Sequence, residues 1–109
     1  MHANYAMPMK QELEQSAIRV VFEPSEQQSV AYDGDRPIGE CQYNVDKTGQ
    51  WVIMHTGVRP EYNGRGIAKR LVETVIDAAR ERGAKIIPLC SYAQRLMTDK
   101  DEYKDVLSL

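Results

Sequence analysis

From Ile18 onward the chain alternates between apolar and polar positions. Ile18, Val20 and Phe22 interleave with Arg19 and Val21, the period-two spacing of a half-buried strand. Glu23-Pro24-Ser25 ends that run. Val30 and Tyr32 make a second short alternation, stopped by the turn signal Asp33-Gly34-Asp35. Cys41, Tyr43 and Val45 alternate with Gln42 and Asn44 in a third strand, and the out-of-phase Ile38 points to a bulge at Gly39. Asp46-Lys47-Thr48-Gly49 predicts the next hairpin turn. The stretch WVIM, residues 51–54, is continuously apolar and predicts a central strand covered on both faces.

The period then lengthens. Ile67, Leu71, Val75 and Ala79 recur every four residues, and Val72 and Ile76 widen the stripe, which predicts one long helix over about 64–82. Gly83 follows as its C-terminal stop. AKIIPLC predicts a fifth strand, and strand–helix–strand order implies a parallel pair with a right-handed crossover. Ser91 is a candidate cap for a last short helix, and DEYKDVL finishes the chain. The expected class is α/β: a mixed, mainly antiparallel sheet of about five strands, one long helix and a short C-terminal helical tail. Residues 1–16, with Pro8 and the weakly helical MKQELEQ, are expected to be a flexible extension, leaving residues 17–109 as a single domain.

Composition narrows the classes. The 109 residues suit one domain, and 42% hydrophobic with 28% charged residues is ordinary for a soluble fold. A formal net charge of -2 gives no reason to expect nucleic acid or an anionic membrane as a partner. No apolar run approaches the ~20 residues of a membrane span. The first residues lack a charged-then-apolar signal pattern, so the expected location is cytoplasmic. Cys41 and Cys90 are too few for a disulfide framework, and neither they nor His2 and His55 have metal-ligand spacing, so no metal is expected.

The candidate chemistry begins at VRPEYNGRGIAKRL, residues 58–71, where Gly64 and Gly66 stand at the entry to the long helix. The unpartnered N–H groups of a helix start carry partial positive charge, and glycines let an anion approach them closely. Arg65 and Lys69 would add charge at the rim. The segment is neither GxxxxGK[ST] nor GxGxxG, and a glycine-rich tight turn is the plain alternative.

The surrounding residues carry a resemblance. The GNAT N-acetyltransferase superfamily binds acetyl-CoA with a segment reading Arg or Gln, two residues, Gly, one residue, then Gly or Ala. This chain resembles it with Asn63, Gly64, Arg65, Gly66, Ile67 and Ala68, preceded by Val58 and Pro60; Asn63 is the departure. A small single-domain branch of the superfamily is similar over most of residues 18–109, through His55-Thr56, Gly64 to Ala68, and Pro88 to Tyr92. The resemblance implies a minimal GNAT-like fold with acetyl-CoA as cosubstrate, lying in a wedge between the fourth and fifth strands. It implies that backbone groups near Thr56 and Val58 bond the thioester and pantetheine arm, while residues 63–69 hold the pyrophosphate. Pro88, unable to donate to a ladder, fits a strand that splays from its neighbour.

Superfamily members usually carry Asn at the end of the fifth strand and, seven residues on, a Tyr that protonates the departing thiolate. On this chain those positions hold Cys90 and Met97, and a thioether cannot donate a proton. Cys90 therefore stands as candidate acyl acceptor or proton donor, against the plain reading of a small buried side chain. His55 is the candidate to activate it from the adjacent strand, or else a packed histidine. Cys41 and Trp51 read as core, and Tyr92 and Tyr103 as packing residues with hydroxyls near the site. Two functions stay open: acetyl transfer to an unidentified amine acceptor, or a CoA-binding module with little turnover.

Overall fold

The computed structural model describes residues 17–108. The extension expected over residues 1–16 lies outside the described residues. Five strands form one sheet in sequence order: β1 (Ile18–Glu23), β2 (Gln28–Asp33), β3 (Arg36–Val45), β4 (Trp51–Val58) and β5 (Ile86–Pro88). The first four pair antiparallel and β5 joins β4 in parallel. Between β4 and β5 runs the helix α1 (Ile67–Glu81), and α2 (Ser91–Met97) follows β5. The mixed sheet and single long helix are as expected.

The turns follow from local chemistry. Asp46 Oδ1 accepts from the Thr48 and Gln50 amides, each at 2.9 Å, closing the β3–β4 hairpin. The helix α1 ends in a Schellman arrangement, with the Ala84 amide donating to Ala79 O at 2.9 Å and the Gly83 amide to Arg80 O at 3.1 Å.

Hydrophobic burial then places α1 on one face of the sheet. Ile67, Leu71, Val72, Val75, Ile76 and Ala79 are buried against Ile18, Ala31, Cys41 and Ile53. Ser29 is buried among them and its hydroxyl donates to Leu71 O at 2.7 Å, fixing helix to sheet. At one end the rings of Tyr43 and Trp51 stack at 4.3 Å, with Phe22 beside them. The C-terminal segment braces β5: the Ile86 amide donates to Val106 O and the Ser108 amide to Ile86 O.

Three local expectations change. The helix starts at Ile67 rather than near 64, because Gly64 and Gly66 hold positive φ, which no right-handed helix uses. The strand WVIM is not covered on both faces: Trp51 and Ile53 are buried, Val52 is half-buried and Met54 is 43% exposed. Its continuous apolar run hides a bulge, for Tyr43 pairs with Ile53 and Gln42 with His55, leaving Met54 without an opposite residue. The other bulge falls where the phase break pointed, with Ile38 as the extra residue between Pro37 and Gly39. The fifth strand is also shorter than AKIIPLC, ending at Pro88. Among the described residues no helix is long and apolar enough to cross a membrane.

Candidate functional site

β4 outlasts β5. Pairing between them covers Trp51, Val52 and Ile53 and stops where Ile53 faces Pro88. Pro88 has no N–H to extend the ladder, and the Leu89 and Cys90 amides both donate to Ile53 O at 3.0 Å. Residues 54–58 of β4 thus have a strand neighbour on the β3 side alone. The bulge at Met54 falls where the two strands part.

Cys90 turns the chain out of this gap. It has extended backbone, and its sulfur accepts from the Ala93 amide at 3.3 Å, so Cys90 rather than Ser91 caps α2. The reason is where the strand ends: once Leu89 and Cys90 bond to Ile53, the first helical residue is Ser91. Cys90 is half-buried. Its Sγ lies 3.4 Å from Thr56 Oγ1, which also lies 3.6 Å from Cys41 Sγ. Burial pushes the Cys41 thiol up to about 12.

The other wall is the loop from β4 to α1. A turn at Pro60–Tyr62 brings Tyr62 inward, where its hydroxyl donates to the Asp33 carboxylate and its ring lies 5.1 Å under the Arg65 guanidinium. Gly64 has φ +81 and Gly66 φ +73, with open space where a side chain would project. Gly66 offers α1 no side-chain cap, and the first helical bond runs from the Arg70 amide to Gly66 O. The amides of Ile67, Ala68 and Lys69 therefore have no intrahelical acceptor. Ile67 and Ala68 border a cavity of about 210 Å³, lined also by Val58, the loop residues Tyr62, Asn63, Gly64 and Gly66, and Tyr92 from α2. Arg65 and Lys69 are exposed. A left-handed glycine pair with free amides on an open wall fits a diphosphate.

His55 is not with Cys90. It follows the bulge on the opposite face of β4 from Thr56, and its Nε2 sits 3.0 Å from Glu40 Oε2. Tyr103 is buried away from the cavity and donates to the Glu73 carboxylate at 2.9 Å. Met97 is fully buried. Sequence reasoning missed the side chain of Thr56, the carboxylate of Glu40, and Tyr62. Only Tyr62, an aromatic just before the glycines, left a local signal. Among the described residues no group of three or more His, Cys, Asp or Glu is placed to hold a metal ion.

A family model described as GCN5-related N-acetyl-transferase matches residues 28–106. No curated protein matches significantly. Among solved structures, a GCN5-like protein from Staphylococcus aureus is 33% identical, with a TM-score of 0.65 over 85% of this chain and 90% of its own. A GNAT family N-acetyltransferase from Escherichia coli in complex with CoA is 21% identical, with a TM-score of 0.55 over 82% of this chain and 50% of its own. N-acetylglutamate synthase from Neisseria gonorrhoeae, complexed with coenzyme A and N-acetyl-glutamate, is 17% identical, with a TM-score of 0.56 over 84% of this chain and 24% of its own. The last two share the fold, and this chain spans half of their length or less.

Proposed function

The chain belongs to the GCN5-related N-acetyltransferase family, and from that premise we propose that it moves the acetyl group of acetyl-CoA to an amine through the thiol of Cys90. The observation that carries this reading is the cavity itself. Its wall is the Gly64–Gly66 loop with the free amides of α1, and beside it β4 runs on past β5 with the Cys90 sulfur against Thr56.

Each residue then has a task. The amides of residues 63–69 hold the diphosphate, with Arg65 and Lys69 at the rim. Backbone groups of Thr56 and Val58, on the edge of β4 that β5 leaves bare, bond the thioester and pantetheine arm. When bound, acetyl-CoA supplies an acyl carbon activated by its thiol leaving group. Cys90 Sγ forms a bond to that carbon as the bond to the CoA sulfur breaks, and the Cys90 proton passes to the departing sulfur. The acceptor nitrogen next attacks the acetyl-Cys90 thioester, the carbon–Sγ bond breaks, and the amine proton returns to Cys90. His55, held by Glu40 on the opposite sheet face, stands apart from this thiol chemistry.

A direct route, in which Cys90 only protonates the leaving sulfur, has the support of buried Met97, which offers no proton at the usual position. Free Cys41 and Cys90 suit a reducing compartment such as the cytoplasm.

The test is CoA release from acetyl-CoA against a panel of primary amines, for wild type and Cys90→Ala. Amine-dependent release lost in Cys90→Ala supports the proposal. Binding without any amine-dependent release makes the chain a CoA-binding module. Full turnover by Cys90→Ala removes Cys90 from the chemistry.

A further inference from the structure

We propose that the Thr56 hydroxyl is a two-way hydrogen-bonding partner that holds the Cys90 sulfur in both its neutral and its ionised state, with the buried Cys41 thiol behind it as the hydroxyl's other partner. The inference rests on Cys90 being the reacting thiol, and it adds two positioning residues from β3 and β4.

The geometry runs in one line across the sheet. Cys41 on β3 and Thr56 on β4 are directly opposed partners, and Cys90 follows where β5 has ended. Thr56 Oγ1 is 3.6 Å from the first sulfur and 3.4 Å from the second, and among the described residues it has no other hydrogen-bond partner. A valine would fill the same strand position by size and β-branching. What the hydroxyl adds is therefore its bonding to the two sulfurs.

A hydroxyl has one proton and two lone pairs, so it can serve one sulfur as donor and the other as acceptor. While Cys90 is a thiol, its S–H donates to Oγ1 and the Thr56 hydroxyl donates to Cys41 Sγ. When Cys90 gives up its proton, the Thr56 hydroxyl turns to donate to the Cys90 thiolate. Oγ1 then accepts the S–H of Cys41. This second arrangement needs Cys41 to keep its proton, and full burial holds it there, with its pKa pushed up to about 12. The Ala93 amide, 3.3 Å from Cys90 Sγ, gives the thiolate a second donor.

Other titratable groups on the packed elements stand outside this line. Glu40 on β3 and His55 on β4 pair with each other on the opposite sheet face. Tyr92 on α2 keeps its proton, held by burial. Cys41 is thus the ionisable group in contact with the hydroxyl besides Cys90 itself.

The test is the pH dependence of iodoacetamide alkylation at Cys90, followed by intact mass on the full chain without acetyl-CoA. Loss of one hydrogen bond to a charged sulfur is expected to shift the profile of Thr56→Val to higher pH, slowing alkylation about tenfold at neutral pH. Thr56→Ser restores the wild-type profile, and Cys41→Ala shifts it in the same direction by less. A Thr56→Val profile superimposed on wild type, or a shift that Thr56→Ser does not reverse, overturns the inference. Should Thr56→Val not fold, an unshifted Cys41→Ala profile overturns it. Alkylation needs no acetyl-CoA, so a shifted profile in a protein that never acetylates would sink the proposed reaction and leave the thiol arrangement standing.

Discussion

Replacing Gly66 with alanine separates the two jobs of the loop. Gly66 has φ +73, and a Cβ there would meet nothing within 4 Å. The cost in the free protein is therefore backbone strain without a clash, about 1–2 kcal/mol for an L-residue in the left-handed region. For a chain of this length that lowers the melting temperature by roughly 4–8 °C per kcal/mol. Gly49 in the β3–β4 turn is the matched control, with φ +86 and the same open space. Both variants should melt alike. The new methyl of Gly66→Ala stands on the wall of the cavity, where it holds a diphosphate off the amides of α1. Losing one or two charge-assisted bonds weakens acetyl-CoA binding by about tenfold or more, while Gly49→Ala binds as wild type. Calorimetric titration with acetyl-CoA, beside thermal melts, measures both quantities. Equal acetyl-CoA affinity for the two variants would refute the assignment of this loop as the diphosphate cradle.

Further predictions follow from buried and titrating groups. Ser29→Ala removes the 2.7 Å bond to Leu71 O inside the core, which should cost about 1 kcal/mol in denaturant titration and leave acetyl-CoA binding intact. Cys41, raised from 9.0 to about 12 chiefly by burial, contributes stability that is whole below pH 9.0 and is lost as pH rises toward 12. Between pH 7 and pH 10 the wild type should lose about 1.4 kcal/mol more than Cys41→Ala, measured by parallel denaturant titrations. The hydrogen bond from Tyr32, then that from Gln28, holds the Glu23 carboxyl below its ordinary 4.5. Its contribution is present above that value and lost as pH falls through the lower folded one, so Tyr32→Phe should flatten the acid side of the stability curve. An unchanged acid limb in Tyr32→Phe would contradict it.

The sheet and helix were legible because their signals are local. Alternation over Ile18–Phe22 and the four-residue spacing from Ile67 to Ala79 depend on nothing but neighbouring positions. The phase break at Ile38 announced its bulge for the same reason. The bulge at Met54 left no such trace, since the continuous apolar run of residues 51–54 that leads into it carries no alternation to break. That one extra residue decides which face each following side chain takes, sending Thr56 to the thiols and His55 to Glu40. Register of this kind is a pairing between distant segments, and a single strand's sequence does not carry it. The cap of α2 was hidden similarly: Ser91 has the usual capping chemistry, but the end of β5 at Pro88 puts Cys90 there.

The most direct measurement is the intact mass of the protein after incubation with acetyl-CoA, first under native and then under denaturing conditions. A native complex should form and, after denaturation, one acetyl increment should remain that Cys90→Ala lacks. A native complex with no increment would restrict Cys90 to proton donation or remove it from the reaction. Absence of both the complex and the increment would contradict the acetyltransferase reading of this site.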